Sequence, residues 1–237
     1  NDVVAPRRPS LARGAMMQMI EYADRETLIE KITDHLAQDL TTALQMRSRA
    51  TFVVPGGTTP GPIFDLLCRK GLDWARVDVM LSDERWLPED DPRSNTRLLR
   101  QRLLVNRAAA SGYLPLYAAY EHPEQGLPGL AAKLEPHLPI AVMLLGMGAD
   151  MHTASLFPGA DKLKQALAAD APALVPMRAP GAPEARITLS ARVLDASDYK
   201  HIVIMGDEKR AALEQAQTLT STAAPVCAIL NDTKVHW

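Results

Sequence analysis

Asp150 and His152 are the side chains in this sequence with the clearest capacity for catalysis. They follow an apolar run, residues 141–145, which ends in Gly146-Met147-Gly148. An imidazole has an unperturbed pKa of about 6.5, so His152 can take up a proton near neutral pH. Its position at a predicted strand end favours a functional role, although a single histidine is also commonly structural or exposed. A zinc site requires three or four converging ligands, and this pair supplies two at most, so we expect no metal.

Gly56, Gly57 and Thr58 form a second candidate site at the end of a short β-branched run, residues 50–54. Two glycines let the backbone approach a ligand closely, and N–H groups at the start of the following helix can bind a phosphate. A plain tight turn between strand and helix explains the same residues equally well. The P-loop pattern is absent, and residues 146–151 do not form Gly-x-Gly-x-x-Gly, so nucleotides are disfavoured.

Asp83 and Arg85 lie in a run of three charges that directly follows the apolar residues 77–81. A guanidinium can hold a phosphate or carboxylate through two parallel hydrogen bonds, which suits Arg85. Asp83 can accept hydrogen bonds from sugar hydroxyls or orient a water molecule. The alternative is a solvated loop with no ligand.

Two further arginines, Arg178 and Arg186, flank a loop rich in proline and glycine. A cation in that segment can close over a bound anion, and an ordinary exposed arginine is an equally good reading. Ser155 has no Gly-x-Ser-x-Gly pattern around it, so we do not expect a serine-hydrolase triad.

These residues are positioned by strands and helices that alternate along the chain. Asp24 can cap a helix in which apolar residues recur at helical spacing through residue 43. Ser94 can cap another helix, at residues 94–104. We predict strands or extended segments at residues 50–54, 77–81, 114–117, 140–145, 173–177, 186–190, 201–205, 225–230 and 234–237, and further helices at residues 63–68, 130–138, 162–168 and 207–218.

Alternation of this kind predicts an α/β fold with a doubly wound, mostly parallel, Rossmann-like sheet. Ligands of such sheets bind beyond the carboxyl ends of the strands, which is where the Gly56 loop, Asp83, Arg85, Asp150 and His152 follow their predicted strands. We expect a single domain over residues 16–237 and a flexible tail over residues 1–15, because no linker or repeat divides the rest.

Composition narrows the class of protein. The chain has 237 residues, of which 47% are hydrophobic and 23% charged, as in ordinary globular domains. A formal net charge of −2 argues against binding to nucleic acid or to a membrane surface. Cys68 and Cys227 lack metal-ligand spacing, and reduced thiols in the cytoplasm are the default for them. We find no apolar run near the roughly 20 residues of a membrane helix and no secretory signal.

The candidate motifs occur in the order found in the 6-phosphogluconolactonase family, which the chain resembles. The matching blocks run from about residue 20 to the end of the sequence. They are GGTTPGPIFDLL, SDERWLPEDDPRSNTRLL, LLGMGADMHTASLFPG and RITLS. The resemblance implies a fold shared with glucosamine-6-phosphate deaminases and ribose-5-phosphate isomerases. It also implies hydrolysis of 6-phospho-D-glucono-1,5-lactone to 6-phosphogluconate, in the oxidative pentose phosphate pathway, without a metal or other cofactor.

The resemblance also assigns roles to residues. His152 would activate water as general base, and Asp150 would orient the water or the substrate. The expected partner is a small phosphorylated lactone, and a homo-oligomer stays open. Backbone N–H groups around Gly146–Gly148 can stabilise an oxyanion. The expected substrate-binding residues are Gly56, Gly57, Thr58, Asp83, Arg85, Asn95, Gly148, Arg178 and Arg186.

Met151 departs from the family pattern, which has glycine at that position. A position that needs a positive φ angle would suit methionine poorly.

Two other functions stay open at this point. An amino-sugar-phosphate deaminase or isomerase would carry Asn-Glu-Pro where this chain has residues 155–158. A non-catalytic sugar-phosphate sensor of the same fold would normally bring a helix-turn-helix, for which the N-terminal segment is too short.

Overall fold

Parallel strands form the central sheet of the computed structural model, which describes residues 17–237. The predicted tail, residues 1–15, lies outside that range. Seven strands of the described chain pair in the order β1-β10-β9-β6-β2-β3-β5, all in parallel. The strands are β1 (Gln18–Ile20), β2 (Ala50–Val54), β3 (Val77–Leu81), β4 (Asp83–Arg85), β5 (Gly112–Leu114), β6 (Val142–Gly146), β7 (Leu174–Met177), β8 (Arg186–Leu189), β9 (Tyr199–Val203) and β10 (Thr233–His236).

Helices connect the strands and confirm the predicted α/β class. None of the helices within residues 17–237 has the length and apolar character needed to cross a bilayer. The α-helices are α1 (Arg25–Met46), α2 (Gly61–Leu67), α3 (Asn95–Arg102), α4 (Pro123–Leu134), α5 (Leu163–Leu167), α6 (Ala191–Asp195) and α7 (Asp207–Ala216).

The winding of the sheet reverses beside β2. From β2 the chain adds β3 and β5 on one side, then returns past β2 to add β6, β9 and β10 on the other. Ligands of open parallel sheets bind in the crevice at such a reversal, beyond the carboxyl ends of the strands. The loops that follow β2 and β6 are therefore placed side by side at the expected ligand position.

A second sheet of three antiparallel strands, in the order β4-β8-β7, lies outside the sequence prediction. Its register places Arg85 opposite Arg186, and Asp83 opposite Thr188. The run of charges predicted as a strand exit is thus itself a short strand. This pairing brings together two arginines that lie far apart in the sequence.

Helix α1 shows why the sequence pattern predicted its position. Leu28, Ile32, Leu36 and Leu40 form one apolar stripe and are buried. The Asp24 carboxylate accepts a hydrogen bond from the Thr27 N–H at 2.7 Å, which confirms the predicted cap. Burial of four leucine or isoleucine side chains, at about 1.5–3 kcal/mol each, is the main stabilisation of this helix.

Several element boundaries differ from the prediction. Helix α4 begins at Pro123, seven residues before the predicted start at residue 130, because proline suits the first turn of a helix. Residues 225–230 were expected to be extended, and the structure has a 3₁₀ helix at Pro225–Ile229. A short apolar run fits either conformation, and the proline at its first position favours the helical one. Strand β1 was not predicted, and three residues are too few for a pattern.

A chain of buried polar side chains joins α1 to β9 and β10. The Tyr22 hydroxyl lies 2.7 Å from His236 Nδ1, His236 Nε2 lies 2.9 Å from His201 Nδ1, and His201 Nε2 lies 2.8 Å from Asp39 Oδ2. With Asp39 ionised and both imidazoles neutral, a single arrangement of protons satisfies every link. Tyr22 donates to His236, which donates to His201, which donates to the Asp39 carboxylate. Burial favours these neutral imidazoles, because it lowers the pKa of each, that of His236 to about 2.

Trp237 packs against the start of α7. Its Nε1 donates to the Gly206 carbonyl at 3.4 Å, and the Arg210 guanidinium lies 4.2 Å from the centroid of its indole ring. Gly206 has a φ of +89°, a conformation that glycine adopts without strain. The end of the described chain thus holds the turn from which α7 begins.

Candidate active site

A cavity of about 300 Å³ opens at the carboxyl ends of the central strands. It is lined by the loops after β2 and β6, by the ends of β6 and β9 and by the first turns of α3 and α7. The two arginine-bearing strands of the smaller sheet, β4 and β8, complete the lining. The predicted residues that line it are Gly56, Gly57, Thr58, Asp83, Arg85, Asn95, Gly148, His152 and Arg186.

His152 and Asp150 are in direct contact at the edge of this cavity. His152 Nδ1 lies 2.5 Å from Asp150 Oδ1, and the same oxygen accepts the His152 backbone N–H at 3.2 Å. A carboxylate can only accept, so Nδ1 carries the proton and Nε2 has the free lone pair. About a third of the His152 side chain is exposed. The pair is therefore arranged as a base with its orienting acid.

The backbone around His152 is strained. Met151, just before His152, has a φ of +66°, and Ala154, two residues after it, has a φ of +49°. Both non-glycine residues therefore adopt the left-handed conformation. The departure noted at Met151 thus falls on a position that does need positive φ. The Met151 carbonyl accepts a hydrogen bond from the Val226 N–H at 3.1 Å, which helps to hold this conformation.

Gly148 allows the base and its acid to meet. A Cβ atom at this position would lie 2.3 Å from His152 Nδ1 and 2.4 Å from Asp150 Oδ1. Its backbone N–H donates to the His152 carbonyl at 2.9 Å. That N–H closes the loop and is not free for an oxyanion, contrary to the expectation for Gly148.

The glycine loop after β2 is shaped by a neighbouring amide. A Cβ at Gly56 would lie 2.1 Å from Asn95 Cγ, so only glycine lets Asn95 pack here. Gly57 has a φ of +86° and no heavy atom within 4 Å of its Cβ position. The loop therefore presents open backbone to the cavity, beside Thr58.

Glu84 fixes the position of Asn95, a role that sequence analysis missed. Its buried carboxylate accepts five hydrogen bonds, from the backbone N–H groups of Arg85, Asn95 and Thr96 and from the hydroxyls of Ser94 and Thr96. Glu84 thereby caps α3. The predicted cap, Ser94, makes no capping hydrogen bond with its side chain. Burial raises the pKa of Glu84, and the hydrogen bonds to its carboxylate oppose that shift.

Asp83 ties the smaller sheet to the loop that carries His152. Its carboxylate accepts a hydrogen bond from the Ser155 hydroxyl at 2.6 Å and from the Ser82 hydroxyl at 2.7 Å. Each oxygen thus already accepts one hydrogen bond within the protein, although Asp83 also lines the cavity. These bonds favour a positioning role over the predicted contact with sugar hydroxyls.

Arg85 and Arg186 form a pair of cations on one wall of the cavity. The Nε atom of each is buried and has no hydrogen-bond partner among the described residues. Arg85 Nη1 donates to the Arg93 carbonyl at 2.6 Å, and Arg186 Nη1 lies 3.9 Å from Asp83 Oδ2. Burial lowers the pKa of Arg186, which Asp83 partly offsets. Because buried donors are normally satisfied, the unused N–H groups indicate an anion site.

Lys209 also lines the cavity and was not predicted. It lies in the first turn of α7, which follows β9, and has no ion-pair partner in the part of the chain that the structure describes. A residue just after a central parallel strand is a candidate ligand contact by the strand-end rule. That rule could have found Lys209 without any recognised motif.

Arg178 lies outside the lining of the cavity. Its guanidinium donates to both oxygens of Glu124, at 2.7 and 3.1 Å. This pairing lowers the pKa of Glu124 to about 2. The predicted substrate contact is therefore replaced by an exposed ion pair.

Within residues 17–237, no three His, Cys, Asp or Glu side chains converge as a metal site would require.

Comparisons with known proteins identify the family of the chain. A family model described as glucosamine-6-phosphate isomerases/6-phosphogluconolactonase matches residues 23–237. A 6-phosphogluconolactonase of Rhizobium meliloti (strain 1021) is 36% identical over 225 residues, which cover 91% of this chain and 96% of the relative. One from Pseudomonas putida is 34% identical over 230 residues, covering 94% and 93%. The crystal structure of a 6-phosphogluconolactonase from Shewanella baltica OS155 superposes with a TM-score of 0.90 at 33% identity, covering 93% of this chain and 97% of that one.

Proposed function

Since the chain belongs to the glucosamine-6-phosphate isomerase/6-phosphogluconolactonase family, we propose that it hydrolyses 6-phospho-D-glucono-1,5-lactone to 6-phosphogluconate with His152 as general base. The observation that carries this proposal is the Asp150–His152 pair at the edge of a cavity that also holds three cations. The reaction belongs to the oxidative pentose phosphate pathway and takes place in the cytoplasm. The substrate is an activated cyclic ester, so its hydrolysis needs no covalent nucleophile.

The phosphate group of the substrate binds at the cationic wall. Arg85, Arg186 and Lys209 supply positive charge, and the open backbone at Gly57 and Thr58 supplies N–H groups. A phosphate monoester carries nearly two negative charges at neutral pH. Its binding energy fixes the rest of the sugar, so that the carbonyl carbon is held at the base.

Hydrolysis then needs only a water molecule and a base. The water oxygen attacks the lactone carbonyl carbon while its proton passes to His152 Nε2. The resulting oxyanion collapses, the bond between the carbonyl carbon and the ring oxygen breaks, and the ring oxygen takes the proton back from the imidazolium. Asp150 stabilises that imidazolium through Nδ1. The products are a hydroxyl and a carboxylic acid, which ionises.

Asn95 holds a hydroxyl of the sugar in this proposal. Its Nδ2 donates to the Asp83 carbonyl at 3.3 Å, and it faces the glycine loop. An amide has one further donor and an acceptor for a ligand. The support for this role is its position in the cavity lining beside Gly56.

The deaminase alternative lacks a residue. The position where that activity would need a carboxylate falls at residues 155–158, and none of these is acidic. Ser155 is buried on Asp83, Leu156 is fully buried, and Phe157 faces His152. No carboxylate therefore reaches the cavity from this segment.

Activity of the wild type and of His152→Ala on freshly generated lactone tests the proposal. A positioned general base contributes about 10²–10⁴-fold to the rate, so the variant should lose activity by that factor, with KM nearly unchanged. The spontaneous hydrolysis rate must be subtracted in every assay. His122→Ala, which removes an exposed histidine at the start of α4, serves as the matched control and should keep full activity. Undiminished hydrolysis by folded His152→Ala would exclude the base, and an inactive wild type would exclude the reaction.

A further inference from the structure

The ring of Phe157 contacts two functional side chains that come from different elements. Its centroid lies 4.4 Å from that of the His152 ring, at an interplanar angle of 34°. The Arg186 Cζ atom lies 5.2 Å from the same Phe157 centroid. His152 belongs to the loop after β6, and Arg186 begins β8 in the smaller sheet. One aromatic ring therefore joins the base to a cation of the anion site.

Arg186 depends on this contact because its polar partners are few. Its buried Nε has no hydrogen-bond partner within residues 17–237, and its ion pair with Asp83 is long, at 3.9 Å. An aromatic face attracts a guanidinium without using its N–H groups. Phe157 can thus orient Arg186 and leave the N–H groups available for a ligand.

His152 needs a second constraint besides Asp150. The hydrogen bond at Nδ1 fixes one edge of the imidazole, but the ring can still tilt about that bond. The Phe157 ring contacts the face of the imidazole. Asp150 and Phe157 together fix the direction in which Nε2 points.

The backbone fixes Phe157 itself. Leu156 is fully buried and its N–H donates to the Thr153 carbonyl at 3.0 Å. The Phe157 carbonyl accepts the Ala160 N–H at 3.1 Å, closing a turn. The backbone that carries the Phe157 ring is therefore held in place on the same loop as His152.

We propose that Phe157 is a positioning residue that sets the distance between the catalytic base and the phosphate-binding arginine. A substrate anchored by its phosphate at Arg186 then presents its carbonyl carbon to His152 Nε2. This inference rests on the proposed lactonase function. It predicts that loss of the ring impairs substrate binding through Arg186 and turnover through His152, as two separable effects.

Kinetics of Phe157→Leu and Phe157→Tyr provide the first test. Small misplacement of reacting groups costs up to about 10²-fold, so Phe157→Leu should lower kcat/KM by about 10- to 100-fold, with KM raised and kcat lowered. Phe157→Tyr keeps the aromatic face and should stay within about threefold of wild type, since cation–π attraction persists. Equal losses in both variants, or no loss in Phe157→Leu, would overturn the proposal.

A double-mutant cycle separates positioning from general destabilisation. In an Arg186→Ala background, Phe157→Leu should no longer raise KM, because the cation that the ring orients is absent, but it should still lower kcat. Additive effects on KM would overturn the link to Arg186. Tyr117→Leu, which removes a half-buried ring that packs on Trp86, is the matched control and should keep kcat/KM. An equal loss in that control would show a merely structural effect and overturn the proposal.

Binding of 6-phosphogluconate, measured by calorimetry, keeps the two proposals distinguishable. An inactive wild type would contradict the lactonase function, and the Phe157 inference is then judged on binding alone. Phe157→Leu should weaken binding in the wild-type background and leave it unchanged in Arg186→Ala. The same weakening in both backgrounds, or in neither, would overturn the role of Phe157.

Discussion

Met151 makes two opposing contributions to stability. Its φ of +66° costs a non-glycine residue about 1–2 kcal/mol, and its side chain is buried. Truncation of a buried methionine to alanine costs about 2–5 kcal/mol. The packing therefore outweighs the strain, which explains why methionine is tolerated where the family pattern has glycine.

We accordingly expect Met151→Gly to lower the free energy of unfolding by about 1–3 kcal/mol, because lost packing exceeds the relieved strain. Urea denaturation measures this change. Met151→Ala keeps the strain and loses the packing, so it should be the less stable of the two variants. A glycine variant more stable than the wild type would show that strain dominates.

At this scale the sequence predicts residues that directly follow strands. His152 and Gly57 lie in the cavity for that reason. Glu84 was missed because a run of three charges does not show which way each side chain points. That becomes clear only when residues 83–85 are recognised as a strand. Successive strand residues then point to opposite faces, which turns Asp83 and Arg85 towards the cavity and Glu84 towards α3. Arg178 was assigned from loop position alone, which does not show that Glu124 binds it.

The start of α3 is the element on which the ligand side of the cavity depends. Glu84 holds the first two N–H groups of this helix, and Asn95 packs on Gly56 from its first position. A carboxylate accepts at every lone pair, and it also complements the helix dipole. Loss of this acid would therefore displace Asn95 along with the helix end.

Glu84→Gln should lower the free energy of unfolding by about 2 kcal/mol, because the amide NH₂ would face donors and leave buried groups unsatisfied. Thermal or urea unfolding measures the loss. Glu89→Gln is the matched control, since it weakens only an exposed ion pair with Arg100, worth about 0–1 kcal/mol. Equal stability of the two variants would contradict a capping role for Glu84.

The parallel sheet could be predicted because alternating apolar strands and amphipathic helices leave few other arrangements. The smaller sheet could not. Its strands are three or four residues long, and β4 pairs with β8 across about a hundred residues of chain. Short strands carry too little periodicity to specify a partner. The register that places Arg85 opposite Arg186 could not be predicted for the same reason, although the family resemblance assigns both arginines to substrate binding.

The molecule as a whole should lose stability in mild acid because of its buried histidines. His201 and His236 have pKa values lowered by burial, whereas an unfolded histidine titrates near 6.5. Below that pH the unfolded chain binds protons that the folded chain does not. The groups that face the pair are Asp39, Lys234, His35 and Tyr22. Besides burial, the neighbouring His201, His35 and Lys234 lower the pKa of His236.

The free energy of unfolding should therefore be constant above about pH 6.5 and fall between pH 6.5 and 5 by up to about 1.4 kcal/mol per pH unit for each imidazole. Paired carboxylates such as Glu124 have lowered pKa values and lose their contribution only below about pH 4.5. Urea denaturation across this window measures the slope. His122→Ala should leave it unchanged, and a flat profile in the wild type would contradict neutral buried imidazoles.

The packing of Trp237 on Gly206 has an optical consequence. Trp74 and Trp86 are buried, whereas Trp237 is only partly buried. Its indole contacts Gly206, which precedes Lys209 by three residues at the start of α7. Its indole emits from a wetter environment than the other two, so the red side of the intrinsic fluorescence belongs mainly to this one ring. We expect a ligand that moves Lys209 and the turn at Gly206 to change this emission, so the unlabelled chain can report an occupied cavity.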